Sequence, residues 1–262
     1  MLAAERHAFI LEELTQRGVV RIARLSETLD VSEMTIRRDL EQLSDAGLIN
    51  KVHGGATARL ETTAATEPPF GAKSLRQQAL KVSIAKSAAE LVELGNSVAL
   101  MGGSTVFALA RELTNLPRLT IVTNSLPISD LFHREGRGDQ TVVLTGGLRT
   151  PTDSLVGEMA VAGFDRLNVD LTFMGTHGMD PRGGFSSPNI LEVETNRAVI
   201  ARTKKLVILA DHTKWGEIAF GTFAELGDAD VLITDSGLHP EAVFSLKNTI
   251  QNVRIVRSSE SQ

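Results

Sequence analysis

Apolar positions recur at helical spacing through about the first 56 residues, and from residue 75 onward they gather into short unbroken runs. The first pattern predicts three helices. Ile10, Leu11 and Leu14 share a face of the first, and Gly18 stands where a left-handed residue closes a helix. Ile22, Leu25 and Leu29 fall at i, i+3 and i+7 of the second. The third opens at Ser32, a good N-cap, with Val31 and Ile36 placed as a hydrophobic staple. Its inner stripe is Ile36, Leu40 and Leu43, ending at Gly47. Leu48–Val52 then reads as a strand and His53-Gly54-Gly55 as a tight turn, which makes a short hairpin, or wing.

The second pattern predicts strands at Ser97–Met101, Thr120–Thr123, Gln140–Thr145, Leu171–Met174, Lys205–Ala210, Val231–Thr234 and Asn252–Val256. Amphipathic stretches such as Val106–Leu113, Leu126–Phe132 and Leu191–Ala201 lie between several of them. Apolar runs alternating with helices are the mark of parallel strands buried on both faces. A doubly wound α/β sheet follows, with its ligand site outside the C-terminal strand ends. Residues 57–74 are rich in Thr, Ala and Pro and have no clear period. They read as a linker, or as an arm packed on a neighbouring domain. The expected division is a winged helix-turn-helix domain over 1–58, a linker over 59–74 and an α/β domain over 75–257.

Only Asp30-Val31 joins the second and third helices, and the inner stripe of the third leaves Glu33, Met34, Thr35, Arg37 and Arg38 outside. In helix-turn-helix geometry that outer face enters the major groove. Arg37 and Arg38 can fork to guanine edges or clasp phosphates, and Thr35 can contact a base or a phosphate. Lys51 and His53 on the wing, with Ser32 and the N–H groups at the helix start, would meet phosphates. A solvated helix face carrying ordinary charges fits the same spacing.

Composition changes this picture little, and charge changes it more. The chain has 262 residues, 42% hydrophobic and 23% charged, which excludes wholesale disorder. It has no cysteine, hence no disulfide scaffold, thiolate zinc site or Cys nucleophile. Neither a metal nor a cofactor is expected. The N-terminus lacks the basic-then-apolar order of a signal peptide, and nowhere do about 18 apolar residues run together, so a soluble cytoplasmic protein is expected. The net charge is −5, made of −1 through Arg59 and −4 beyond it. Neither part has the basic footprint usual in a nucleic-acid binder.

In the α/β part, Ser97–Thr105 runs from a strand into Gly102-Gly103 and then a helix. Glycines let backbone N–H groups approach an anion, the helix start adds partial positive charge, and Ser104 and Thr105 add hydroxyls. The segment is neither a dinucleotide fingerprint nor a Walker loop. Comparable loops follow other strands: Thr123-Asn124-Ser125, Thr145-Gly146-Gly147, Gly175-Thr176-His177-Gly178 and Asp211-His212-Thr213-Lys214. Any one of them could be a plain turn. Together, on one rim and with Lys214 as cation, they suit a small phosphorylated polyol.

Val31-Ser32, Thr35-Ile36-Arg37-Arg38-Asp39-Leu40 and His53-Gly54-Gly55-Ala56, within the span from Arg6, resemble the DeoR-type regulator signature. GGST, TNS, LTGG, SLVGEMA, FMGTHGMD, ETNRAVI and DHTKWG occur in the order of the DeoR-family sensor domain. That resemblance implies a winged helix-turn-helix on double-stranded operator DNA. It also implies a sensor domain with a mainly parallel sheet, similar to ribose-5-phosphate isomerase and glucosamine-6-phosphate deaminase. By matching position, Gly102, Gly103, Ser104 and Thr105 would cradle a phosphate and Lys214 would help neutralise it. Asn124, Gly146, Gly147, Gly175 and Asp211 would line the site. Two positions depart from many relatives, Met101 where an acid is usual and Asn196 where Lys is usual. His177 and Glu192 or Glu194 are candidate replacements.

The expected function is a repressor of a sugar-metabolism operon, a homo-oligomer whose operator binding responds to a phosphorylated sugar. The competing reading is a sugar-phosphate isomerase or deaminase-like enzyme with an appended DNA-binding domain. Isomerisation needs a positioned base and acid. The loop Met174–Asp180 offers one Asp at its far end and His177, so a catalytic residue set is not expected.

Overall fold

A computed structural model describes residues 3–17, 19–46, 48–52, 54–58 and 77–257, and divides the chain into two units, Met1–Gln77 and Gln78–Gln262. Gly18, Gly47, His53 and the expected linker over 59–74 lie outside the described residues.

In the first unit the predicted stripes close on one another. The elements are α1 (Ala3–Arg17), β1 (Val19–Arg21), α2 (Ile22–Leu29), α3 (Glu33–Asp45), β2 (Ile49–Val52) and β3 (Gly55–Ala58). Ile10, Leu14, Leu25, Ile36, Leu40 and Leu43 are all buried in one cluster with Val20 and Ala56. Asp39, on the same side of α3, is 3% exposed, and Arg6 of α1 donates to both its oxygens at 2.7 and 3.0 Å. His7 Nε2 lies 3.1 Å from the same carboxylate. The hydrogen bond from Arg6 compensates the buried charge and, reciprocally, raises the guanidinium pKa further.

Strand β1 is not foreseen by periodicity, since three residues between two helices are too few to show a period. It pairs antiparallel with β3, Val20 opposite Ala56, so the wing is a three-stranded sheet in the order β1-β3-β2. Thr57 and Ala58, which the aperiodic stretch 57–74 includes, belong to β3, ordered by pairing across the hairpin. A Cβ at Gly55 would lie 2.0 Å from the Val20 carbonyl oxygen, so the close approach of β1 requires glycine there.

In the second unit α4 (Gln78–Ala89) precedes β4 (Ser97–Leu100), α5 (Ser104–Leu113), β5 (Thr120–Thr123), α6 (Leu126–Glu135) and β6 (Thr141–Leu144). After the short β7 (Leu148–Arg149) and β8 (Leu155–Val156) come α7 (Glu158–Phe164), β9 (Leu171–Met174), β10 (Gly178–Asp180), β11 (Gly184–Ser187) and α8 (Ile190–Ile200). The rest is β12 (Leu206–Leu209), β13 (Gly221–Ala224), β14 (Val231–Asp235), α9 (Pro240–Thr249) and β15 (Asn252–Val256). The seven predicted strands form one parallel sheet in the order β15-β14-β12-β9-β4-β5-β6. Alternate residues face opposite cores. Val98 and Leu100 of β4 pack with Ile84, Val106 and Leu109 of α4 and α5; Ala99 packs on the face of Phe164, Val199 and Leu246.

The chain enters this sheet in its middle, grows outward through β5 and β6, then returns to place β9 on the other side of β4. Right-handed crossovers in opposite directions put α5 and α6 on one face and α8 and α9 on the other. The order therefore reverses between β4 and β9. Two additions lie outside the predicted pattern: the hairpin β7–β8 and an antiparallel sheet in the order β10-β11-β13. Their strands have two to four residues, several of them glycine, and leave no alternation to read.

Asp170 fastens the opposite, N-terminal edge at this reversal. It accepts from the Ser97 N–H at 2.9 Å, the Ser97 hydroxyl at 2.7 Å and Lys204 Nζ at 2.7 Å, joining the starts of β4, β9 and β12. The hydrogen bond from Lys204, then those from Ser97, lower its pKa to about 2. These donors stabilise the ionised form, so the contribution is complete above the unfolded value of about 3.9. It is lost as pH falls through about 2. Asp170→Asn should lower stability by roughly 1 kcal/mol at pH 7, a figure reduced for the exposure of Lys204. In urea titrations the gap between variant and wild type should narrow steadily below pH 4; a gap independent of pH would contradict the assignment.

Candidate functional site

The second and third helices are joined through a left-handed Asp30, at φ 49°, which a short polar residue tolerates. The turn is held by Ser26, whose carbonyl accepts from the Val31 N–H at 3.2 Å and whose hydroxyl donates to the Val31 carbonyl at 2.6 Å. Ser32 then caps α3, accepting from the Thr35 N–H at 3.2 Å, with the Thr35 hydroxyl 2.9 Å from its own. With Ile36 and Leu40 turned into the core, Glu33, Met34, Arg37 and Arg38 are exposed and Thr35 is half-buried. The first turns of α3 thus present two guanidiniums and two hydroxyls on one surface.

Its electrostatics are tempered locally. Glu33 Oε2 lies 3.6 Å from Arg37 Nη2, one turn apart on the exposed face. Lys51 of β2 donates to Glu41 of α3 at 2.9 Å, and that hydrogen bond lowers the Glu41 pKa. A phosphate that recruits Lys51 must displace a weak exposed ion pair. His53, the other wing residue expected at phosphates, lies outside the described residues.

At the C-terminal edge of the large sheet, the predicted loops collect on one rim. Gly102 to Thr105 follow β4 and Gly175 and His177 follow β9, so these flank the reversal of strand order. Gly103, at φ 151°, occupies the N-cap of α5, where no side chain caps the helix. Its first-turn N–H groups therefore face the rim loop without a side-chain acceptor, the arrangement that suits an anion. Lys214 ends a short 3-10 turn (His212–Lys214) after β12, is half-buried, and forms no ion pair among the described residues.

Several expected liners are committed elsewhere. Asn124 is 3% exposed; its Oδ1 accepts from the Gly102 N–H at 2.9 Å and its Nδ2 donates to the Leu155 carbonyl at 3.0 Å. It clamps the Gly102 loop to the β7–β8 hairpin. Asp211 caps the 3-10 turn, accepting from the N–H of Thr213 at 3.0 Å and from its hydroxyl. Gly147, at φ 136°, lets β8 approach, since a Cβ there would lie 2.6 Å from the Val156 carbonyl oxygen. Gly146 is exposed on the rim. His177 is half-buried and its N–H donates to the Ser186 carbonyl at 3.0 Å. Met101, one of the two departures, is buried in the core behind the loop.

Sequence reasoning missed two features. Ser154, inside the SLVGEMA stretch, reaches Gly102 so closely that a Cβ there would lie 1.9 Å from its Oγ. His212, within DHTKWG, holds Nδ1 2.8 Å from the buried Asp235, which also accepts from the His212 and Gly237 N–H groups. Both motifs were visible; the partners, 52 and 23 residues away in sequence, were not. Three carboxylates with lowered pKa values, Glu41, Asp139 and Asp170, stand away from the rim. Asp180, at the end of β10, accepts from the N–H groups of Arg182 and Gly183 and so caps a turn.

Residues 6–62 match the family model for the DeoR-like helix-turn-helix domain and residues 76–236 that for the DeoR C terminal sensor domain. The chain is 36% identical to the HTH-type transcriptional regulator GolR of Listeria innocua over 91% of its own length and 93% of the relative's. It is 34% identical to a lactose phosphotransferase system repressor of Staphylococcus aureus, over 95% and 98%. It is 33% identical to an uncharacterized regulator, FruR of Bacillus subtilis, over 90% and 92%. Among solved structures, ribose 5-phosphate isomerase A of Methanocaldococcus jannaschii overlaps 53% of this chain and 54% of its own, at 21% identity and TM-score 0.39. The overlap thus spans about half of that enzyme.

The tight fit at Gly102 is open to a paired test. Gly102→Ala should destabilise the second unit by about 1–3 kcal/mol through overpacking. Adding Ser154→Gly should recover part of that loss in thermal melts, because the two sites touch. Strict additivity would mean that the two do not meet.

Proposed function

The chain belongs to the DeoR family of transcriptional regulators, and from that premise we propose that it represses a sugar-metabolism operon by binding operator DNA through α3 and the wing. The observation that carries the reading is the capped start of α3, where exposed Arg37 and Arg38 and half-buried Thr35 lie outside a fully buried inner stripe. Arg37 and Arg38 read guanine edges or clasp phosphates; Ser32, Thr35, Lys51 and His53 set the register against the backbone. One such module reads one half-site, so the working form is a dimer or higher oligomer on repeated half-sites in the cytoplasm.

The rim of the second unit takes a phosphorylated sugar. Gly102 to Thr105 hold the phosphate at the open start of α5 and Lys214 neutralises it, with Gly146, Gly147, Gly175 and His177 around the sugar. Asn124 and Asp211 support the two loops rather than touch the ligand. The domain senses rather than catalyses: aldose–ketose chemistry needs a positioned base and acid, and Asp180, the acid of the Met174–Asp180 segment, is tied into a turn. A coupling of about 1–3 kcal/mol between rim and DNA would change operator affinity about 5–150-fold.

Full-length protein on operator duplex, followed by fluorescence anisotropy, separates the two functions. Arg37→Ala should weaken specific binding by roughly 10- to 100-fold while thermal shifts with sugar phosphates stay as in wild type. Lys214→Ala should bind operator normally and lose most of its response to sugar phosphate; a wild-type dose response in this variant would remove the phosphate assignment. Glu41→Gln, by releasing Lys51, should raise affinity for random duplex a few-fold and steepen its salt dependence by about one phosphate contact.

A further inference from the structure

Met34 is the second residue of α3 and is 74% exposed. Single exposed apolar side chains are ordinary on protein surfaces. This one stands in the middle of a polar face, next to Glu33 and Thr35 and one turn from Arg37 and Arg38. It borders a shallow hollow of about 320 Å³ shared with Thr35, Arg38 and Gln42 of α3 and with Ala3 and Arg6 of α1. Its thioether is therefore presented where α3 meets its target and is not packed into the core.

The edges of base pairs in the major groove are hydrogen-bond donors and acceptors with one apolar exception, the C5-methyl group of thymine. Hydroxyls and guanidiniums gain nothing from that methyl. A methionine does, and its three torsions let the Cε methyl settle against a small apolar target. We propose that Met34 is a specificity-determining residue that contacts a thymine methyl in each operator half-site. The inference rests on the reading of α3 as the recognition helix. It adds a preference for thymine that the Arg37 and Arg38 contacts cannot supply.

The test uses the full-length protein and an operator selected from random duplex by the wild type, with each thymine replaced in turn by deoxyuridine. That replacement keeps every hydrogen bond and removes only the methyl. Wild type should lose about fourfold in affinity at one thymine per half-site, the equivalent of about 0.8 kcal/mol for one carbon-sized apolar group. The loss should be the same at low and high salt, since no phosphate is involved. Met34→Ala, an exposed change to a better helix former, should bind the thymine operator about fourfold less tightly per half-site and no longer distinguish deoxyuridine. Met34→Leu should keep the discrimination. Uniform tolerance of deoxyuridine in wild type, or sensitivity that survives in Met34→Ala, would overturn the proposal. Arg37→Ala on the same duplex separates the two levels. If it binds as tightly as wild type, the recognition-helix reading itself fails; if it binds weakly while the Met34→Ala scan matches wild type, only the methyl contact is lost.

Discussion

A strand covered on both faces has no water for its backbone, so the N–H and C=O groups of β4 and β9 must be satisfied within the sheet. The two strands are neighbours, yet the crossovers that follow them leave in opposite directions. No crossover helix fills the gap above their C-terminal ends, and the loops after both strands are left facing each other there. Most of the second unit follows from that reversal: Asp170 fastens the N-terminal edge beneath it, Asn124 and Ser154 brace the Gly102 loop beside it, and the 3-10 turn carrying Lys214 rises from the next strand. The rim is thus assembled from several loops, none of which is a dedicated phosphate motif.

The first unit answers a different demand, which is to present charge on a small and slightly acidic body. Asp39 turns inward and binds Arg6, so it is spent on fixing α1 to α3. Glu33 and Glu41 lie outward and hold Arg37 and Lys51 at rest. A net charge of −1 through Arg59 therefore coexists with an exposed face that carries Arg37, Arg38 and Lys51, because acids sit beside two of these bases. Exposed pairs of this kind are weak and screened by salt.

Periodicity placed all seven strands of the main sheet and the three N-terminal helices, because the helices and the five inner strands bury a stripe or run that water would not tolerate outside, while the edge strands β6 and β15 keep an apolar run that is only partly covered. It could not find β1 or the strands β7, β8, β10, β11 and β13. These are short, and their order comes from pairing with distant segments rather than from a local pattern. The candidate site divides along the same line. Glycines and hydroxyls following strands mark the rim in the sequence, since turns and anion loops require them. Which of them face a ligand and which hold the scaffold depends on partners: Asn124 looks like a ligand contact until Gly102 and Leu155 are brought to its two ends.

What the chain determined by itself was the set of elements, the family signature on α3 and the motifs of the rim, all of which are local: a stripe, a cap, a glycine after a strand. What only the tertiary structure decided was the company each residue keeps. It paired Lys51 with Glu41, joined Asp235 to His212, put Ser154 against Gly102 and left Met34 without cover. Burial and hydrogen bonding act over ångströms in space, and residues dozens of positions apart come within that range only when the sheet and the three-helix core have closed.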